Sequence, residues 1–151
     1  MEAQELLGAF SKRINIEYDG SAAIAFEADG LPVAINILEE NNEIALTGDI
    51  GAPPPEKLEG LYKTLLSANH QFAGTAGATL SLDPESGRIR LCRTVSEAIH
   101  DAESFCKEVE NFINTAETWA KFVSNYRDAV PAPPETDTAS SALPNDGFMQ
   151  V

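Results

Sequence analysis

The residues best suited to acid–base, metal or nucleophilic chemistry are two histidines and two cysteines. His70 follows Asn69, and His100 stands beside Asp101. Neither falls in an HExxH or other metal-ligand spacing. Cys92 and Cys106 form no CxxC pair and read as reduced thiols. Acidic neighbours occur as Glu39-Glu40 and as Glu108 with Glu110, but no histidine, cysteine or lysine converges on them. Proton-transfer chemistry needs such a partner. The run from Asp83 to Glu85 is too short for a calcium loop. The sequence carries no phosphate loop, dinucleotide fingerprint or G-x-S-x-G. No enzyme, cofactor or metal site is therefore predicted. What the chain offers instead is apolar surface on an acidic body.

That body has 151 residues and a net charge of -14, from 24 acidic and 10 basic side chains. The length suits one domain with a single core. A surface this acidic repels phosphate backbones and anionic membranes, which argues against nucleic acid and membrane partners. The first residues, MEAQELLGAF, carry acids where a signal peptide has bases, and no run reaches the ~20 apolar residues of a membrane span. A cytoplasmic protein is expected.

The elements that would position any surface follow from periodicity. Ala3, Leu6, Leu7, Phe10 and Ile14 share one face of a helix over 3–14. Three strands follow a turn at Tyr18-Asp19-Gly20-Ser21, with Ile24 and Phe26, then Val33, Ile35 and Ile37, then Ile44, Leu46 and Gly48 on single faces. Their short connections predict an antiparallel meander, and apolar residues on both faces predict a covering helix or partner. After Pro53-Pro54-Pro55, with Pro55 at its first position, a helix with Leu58, Leu61, Tyr62, Leu65 and Leu66 runs to about Asn69. Gly60 inside it reads either as a tolerated defect or as room for another backbone. Strands over 78–82 and 88–95 flank the turn at Asp83 to Gly87, and Arg88, Arg90 and Arg93 read as a strand cluster paired with nearby acids. The last helix, from Ser96 to about Tyr126, carries Ile99, Ala102, Cys106 and Val109 in one row and Phe105, Phe112 and Trp119 in a second. The fold class is α+β, in the order α-β-β-β-α-β-β-α, with helices packed on a twisted antiparallel sheet. Residues 1–127 form the domain, and the Pro/Ala/Ser/Thr-rich segment 128–151 reads as a disordered tail.

The segment Leu65-Leu66-Ser67-Ala68-Asn69, followed by Gly74, Gly77, Ala78-Thr79-Leu80-Ser81-Leu82-Asp83 and Gly87-Arg88-Ile89-Arg90-Leu91, resembles the leucine–asparagine helix end, glycine turn and strand pair of the Tir-chaperone (CesT-like) family. These are the class I chaperones of bacterial type III secretion. The resemblance covers about residues 3–127; the proline-rich tail is not a general family feature. It implies a homodimer in the bacterial cytoplasm, without enzymatic activity. Such a protein holds the N-terminal region of a secreted effector or translocator partly unfolded and passes it to the secretion ATPase. An extended cargo can add a strand to an open sheet edge and set alternate side chains in apolar pockets.

Two assignments follow from the resemblance. Leu6, Leu7, Phe10, Ile24, Phe26, Ile35 and Ile37 are expected to face cargo, with ordinary core packing as the alternative for each. Leu58, Gly60, Leu61, Tyr62, Leu65 and Leu80 are expected to form the dimer contact. Two rival readings remain at this point. One is a small α+β ligand-binding or enzyme domain with a pocket between the last helix and the sheet, lined by Phe105, Phe112 and Trp119. The other is an adaptor for a folded partner.

Overall fold

The computed structural model describes residues 2–96 and 101–129. Ile99, His100 and the segment 130–151 lie outside them, as do the readings made of those positions. The chain runs α1 (Ala3–Arg13), β1 (Ala23–Ala28), β2 (Leu31–Leu38), β3 (Glu43–Gly51), α2 (Leu58–Asn69), β4 (Thr79–Leu82), β5 (Ile89–Ser96) and α3 (Ala102–Ala129). This is the predicted order, with α3 continuing past Arg127 to Ala129.

At the start of α1, Glu2 and Glu5 form a capping box, and the Glu2 N–H donates to Glu5 Oε1 at 3.2 Å. The helix buries Ala3, Leu6, Leu7 and Phe10. Helix α2 begins at Leu58, three residues later than the first-turn proline predicted. Lys57 takes a left-handed conformation with φ 59°, so the prolines belong to the approach and the helix starts after the reversal. Gly60 does admit a close neighbour, but that neighbour is within the chain. A Cβ there would lie 2.8 Å from the Tyr126 hydroxyl of α3, which donates to the Lys57 carbonyl.

The strands form one antiparallel sheet in the order β1-β2-β3-β5-β4. Its inner face carries Ile24, Val33, Ile35, Ile44, Leu46, Ile89 and Leu91, all buried. Across them lies α3, with Phe105, Val109, Phe112, Ala116, Trp119 and Val123 buried, so the two rows read from the sequence form one packing stripe. At Gly48 a Cβ would sit 3.3 Å from that of Ala116, so a larger residue there would push α3 off β3. The other face shows small side chains, such as Ala23, Ala25, Ala34 and Ala45, that remain exposed or half-exposed. A helix or a partner was expected over this second face, and among the described residues no helix covers it.

Ion pairs hold the far side of the sheet together. Arg88 meets Asp49 at 3.0 Å and Arg90 meets Asp83 at 3.0 Å. Arg93, on the inner face, reaches Glu108 of α3 at 3.0 Å. The three arginines read as an acid-paired cluster are thus paired. Asp83 also closes the β4–β5 turn, where backbone N–H groups of Glu85 and Ser86 donate to it and hold its carboxyl below the usual aspartate range.

The connection from α2 to β4 is the most contorted part of the chain. Gln71, Phe72 and Ala76 all have positive φ, a conformation that costs non-glycine residues roughly 1–2 kcal/mol each. Three contacts hold it in place. The Gly74 N–H donates to the Ala68 carbonyl at 2.9 Å, Trp119 Nε1 donates to the Gly74 carbonyl at 2.9 Å, and Arg93 donates to the Ala76 carbonyl at 3.3 Å. Thr75 is wholly buried there and its hydroxyl has no partner.

Asn69, at the end of α2, pairs with the outer edge of β4. Its Nδ2 donates to the Leu80 carbonyl at 3.0 Å, and the Leu80 N–H donates to its Oδ1 at 2.9 Å. A side-chain amide thus stands where another strand would pair.

Two stability effects should follow. Thr75→Val removes a buried hydroxyl that lacks a partner and should raise the free energy of unfolding by about 1 kcal/mol in urea titration. Asn69→Ala uncovers the Leu80 backbone and should cost about 1–2 kcal/mol, with faster growth of light scattering on heating. Unchanged values would show that water replaces the amide at no cost.

Candidate functional site

The opposite edge of the sheet, β1, is largely open. The Ile37 N–H donates to the Ala22 carbonyl at 2.8 Å. In an antiparallel ladder the bonded positions alternate, so Ile24, Phe26 and Ala28 also turn their backbone groups toward β2. Ala23, Ala25 and Glu27 turn theirs outward. The Ser21 side chain confirms this direction. Its hydroxyl donates to the Ala23 carbonyl at 3.0 Å and accepts from the Ala23 N–H at 3.4 Å. Ser21 therefore covers the first outward position and leaves the backbone of Ala25 and Glu27 free.

The chain before β1 is fixed beside this edge by α1. Gln4 Nε2 donates to the Gly20 carbonyl at 3.1 Å, and Asp19 accepts the Ser21 N–H at 2.9 Å. Tyr18 donates its hydroxyl to the Ser21 carbonyl, and its ring lies beside Gly8 of α1. Partial burial pushes the Tyr18 phenol above its usual pKa. The edge is therefore presented from a fixed frame.

Of the residues expected to face cargo, Leu6, Leu7, Phe10, Ile24 and Ile35 are at most 6% exposed and belong to the core. Phe26 and Ile37 are half-buried, and the Phe26 ring lies 5.4 Å from that of Phe10. These two bring the expected apolar set to the surface. The helical and strand periods mark an inward face without saying how completely a neighbour covers it.

The expected dimer set divides in the same way. Leu61, Leu65 and Leu80 are buried within the protomer, and Gly60 is taken up by Tyr126. Leu58 and Tyr62 are half-buried. Four residues beyond Tyr62, Leu66 is 69% exposed, and Phe72 and Leu82 are 53% and 43% exposed. Leu58, Tyr62 and Leu66 recur every four residues and share one helix face. Leu66 also lies one turn before Asn69, whose partner Leu80 is two residues from Leu82. Sequence reasoning placed Leu66 in the helical period but chose Leu65 for the interface. The left-handed turn that displays Phe72 had no clear signal.

The pocket expected between the last helix and the sheet takes a different form. Phe105, Phe112 and Trp119 are buried in the core. An open cleft of about 720 Å³ lies instead at the Gly51 end of β3, between Leu31, Ile50 and the Glu117 and Lys121 side of α3. Pro32 borders it. Lacking an N–H, Pro32 cannot extend the β2–β3 ladder, which ends at Val33 and Gly48 beside the β3 irregularity at Asp49 and Gly51. Asp49, which also lines the cleft, is engaged by Arg88. Among the described residues no group of three or more His, Cys, Asp or Glu is placed to hold a metal ion. No described helix is long and apolar enough to cross a membrane.

The fold has close relatives among solved structures. A chain of the ExsC–ExsE complex is 21% identical, with a TM-score of 0.66 over 82% of this chain and 97% of that one. A chain of the HopA1–SchA chaperone–effector complex is 16% identical, with a TM-score of 0.59 over 83% and 93%. The E. coli protein YbjN, described as a putative transcription regulator, is 13% identical, with a TM-score of 0.56 over 84% and 90%. At these identities the likeness shows the fold alone. A search of curated proteins gives no match. The sequence itself matches the Tir chaperone protein (CesT) family over residues 5–120, which takes in every element from α1 to the Trp119 turn of α3. The chain belongs to the Tir chaperone protein (CesT) family.

Proposed function

We propose that this protein is a type III secretion chaperone of the bacterial cytoplasm. It binds the N-terminal region of a secreted effector, keeps that region extended, and delivers it to the secretion ATPase. The observation that carries this reading is the open edge of β1. Ala25 and Glu27 offer unpaired backbone groups on a rigid strand, whereas Asn69 occupies the matching position on β4. An extended cargo gains main-chain hydrogen bonds there, and half-exposed Phe26 and Ile37 add apolar contact. Membership of the family, and the likeness to a chain of a chaperone–effector complex, support the same reading. The protein acts by holding its partner and needs no catalytic group.

The working unit is a homodimer. Its contact is built on the exposed Leu66, Phe72 and Leu82, with half-buried Leu58 and Tyr62 beside them. Because Asn69 occupies the Leu80 position of the β4 edge, the two protomers join mainly through side chains. A stable interface of this kind buries at least ~1,000 Å² in all.

Two experiments test these assignments. Tagged protein expressed in its own bacterium should retain a secreted protein, and retention should be lost when the cargo's N-terminal segment is deleted. Ala25→Pro removes an outward N–H that no strand uses, so the fold should persist while cargo retention falls at least tenfold. A folded partner retained equally by Ala25→Pro would replace the chaperone reading with that of an adaptor. Separately, wild-type protein should sediment as a dimer at micromolar concentration, and the Leu66→Glu, Phe72→Glu double variant as a folded monomer. A monomeric wild type would remove the dimer from the mechanism.

A further inference from the structure

The segment that carries β1, β2 and β3 has an unusual charge pattern. Between Arg13 and Lys57 the sequence holds no lysine, arginine or histidine, yet it holds Glu17, Asp19, Glu27, Asp29, Glu39, Glu40, Glu43, Asp49 and Glu56. Among the described residues, only Asp49 of these nine forms an ion pair. The others are exposed, apart from the half-exposed Glu43.

Register places these charges around the open edge. Ala23 pairs with Asn36 and Leu38 pairs with Glu43, so the Glu39–Asn41 turn lies beyond the Ala23 end of β1. Asp19 leads into that same end. Glu27 and Asp29 stand at the other end, where β1 turns into β2. Basic side chains from neighbouring elements offset them only in part, at the Asp29 end. Arg88 and Lys121 line the cleft that Asp29 also borders. Arg88 is held by Asp49, and Lys121 makes no ion pair among the described residues. Arg13 is committed to Glu103 and Glu110 of α3.

Strand β1 has six residues, so its ends are about 17 Å apart at ~3.3 Å per residue. The screening length at physiological salt is about 8 Å. The two acidic groups therefore act as separate patches, one at each end of the edge. Between them the side chains that flank an added strand are small or apolar, with Ala23 and Ala25 on one side and Ile24 and Phe26 on the other.

We propose that the β1 edge selects cargo by charge. Its occupant is an extended segment with a small or apolar centre and a lysine or arginine on each flank, spaced to reach the two acidic patches. This rests on the chaperone reading above and adds which cargo segment is recognised. Main-chain bonding alone would accept almost any sequence; the paired acidic ends reject acidic segments and attract basic ones. Attraction of this kind acts mainly on the association rate and weakens with salt.

The full-length protein is mixed with synthetic peptides that share an alternating valine–serine centre and differ only in their flanks, lysine or glutamate. Affinity is read by fluorescence anisotropy across a salt series, and the bound position by hydrogen exchange at Ala25 and Glu27. The lysine-flanked peptide should protect these amides and bind about tenfold tighter than the glutamate-flanked one at low salt. The preference should shrink at high salt and in the Glu27→Gln, Asp29→Asn double variant, which keeps the side-chain shapes. Equal affinity for both peptides would overturn charge selection while leaving the chaperone reading intact. Absence of protection with either peptide would overturn the edge as the docking site. The chaperone reading itself is decided by the cargo-retention experiment, which does not depend on the peptides.

Discussion

An open sheet ends in unpaired backbone donors and acceptors on both sides, and each set must find a partner or remain in water. Much of this structure is a response to that constraint. On β4 the answer is Asn69, whose amide reproduces both bonds of a missing strand at Leu80. On β1 the answer is partial, since Ser21 covers Ala23 and nothing covers the next outward residues. The outermost strands thus differ in degree: among the described residues β4 keeps one outward residue, Leu82, without such a cover, and β1 keeps two, Ala25 and Glu27. That asymmetry gives the protein a direction. The β4 side carries the exposed Leu66, Phe72 and Leu82, suited to side-chain packing, and the β1 side carries free main chain.

Charge follows the same division. The basic residues near β4 and β5 are consumed internally, Arg88 and Arg90 by Asp49 and Asp83, and Arg93 by Glu108. These partly exposed pairs contribute modestly to stability. Their larger effect is to neutralise the cations of that half, so that the acids around β1 dominate the field at the other. A net charge of -14 on its own implies solubility and little more. Its placement around an available strand is the observation on which the proposed charge selection rests.

The element order was legible because each element repeats its apolar residues at its own period. The α3 rows through Phe105, Phe112 and Trp119 and the β2 row through Val33 and Ile35 each name their buried face directly. Surface assignments were less legible. The period marks Leu6, Leu7 and Phe10 as one face, but only the packed fold shows that α1 is covered there. Leu65 and Leu66 are adjacent, and a rotation of about 100° between successive helical positions sends one into the core and the other to solvent. The pairing of Asn69 with Leu80 joins residues eleven apart through a turn of left-handed residues, and no local rule anticipates it. The leucine–asparagine helix end was recognised as a pattern; the structure supplies its physical purpose.

The Trp119–Gly74 hydrogen bond has a consequence for observation. The chain has one tryptophan, and its indole N–H is tied to the carbonyl of the strained turn that displays Phe72. Emission from a buried, hydrogen-bonded indole depends on its solvation. The intrinsic fluorescence of this protein is therefore a native optical readout of one turn, sensitive to loosening beside Phe72 while the distant β1 edge contributes no tryptophan signal of its own. Without any label, an event at the α2–β4 side can be distinguished spectroscopically from one at the far edge of the sheet.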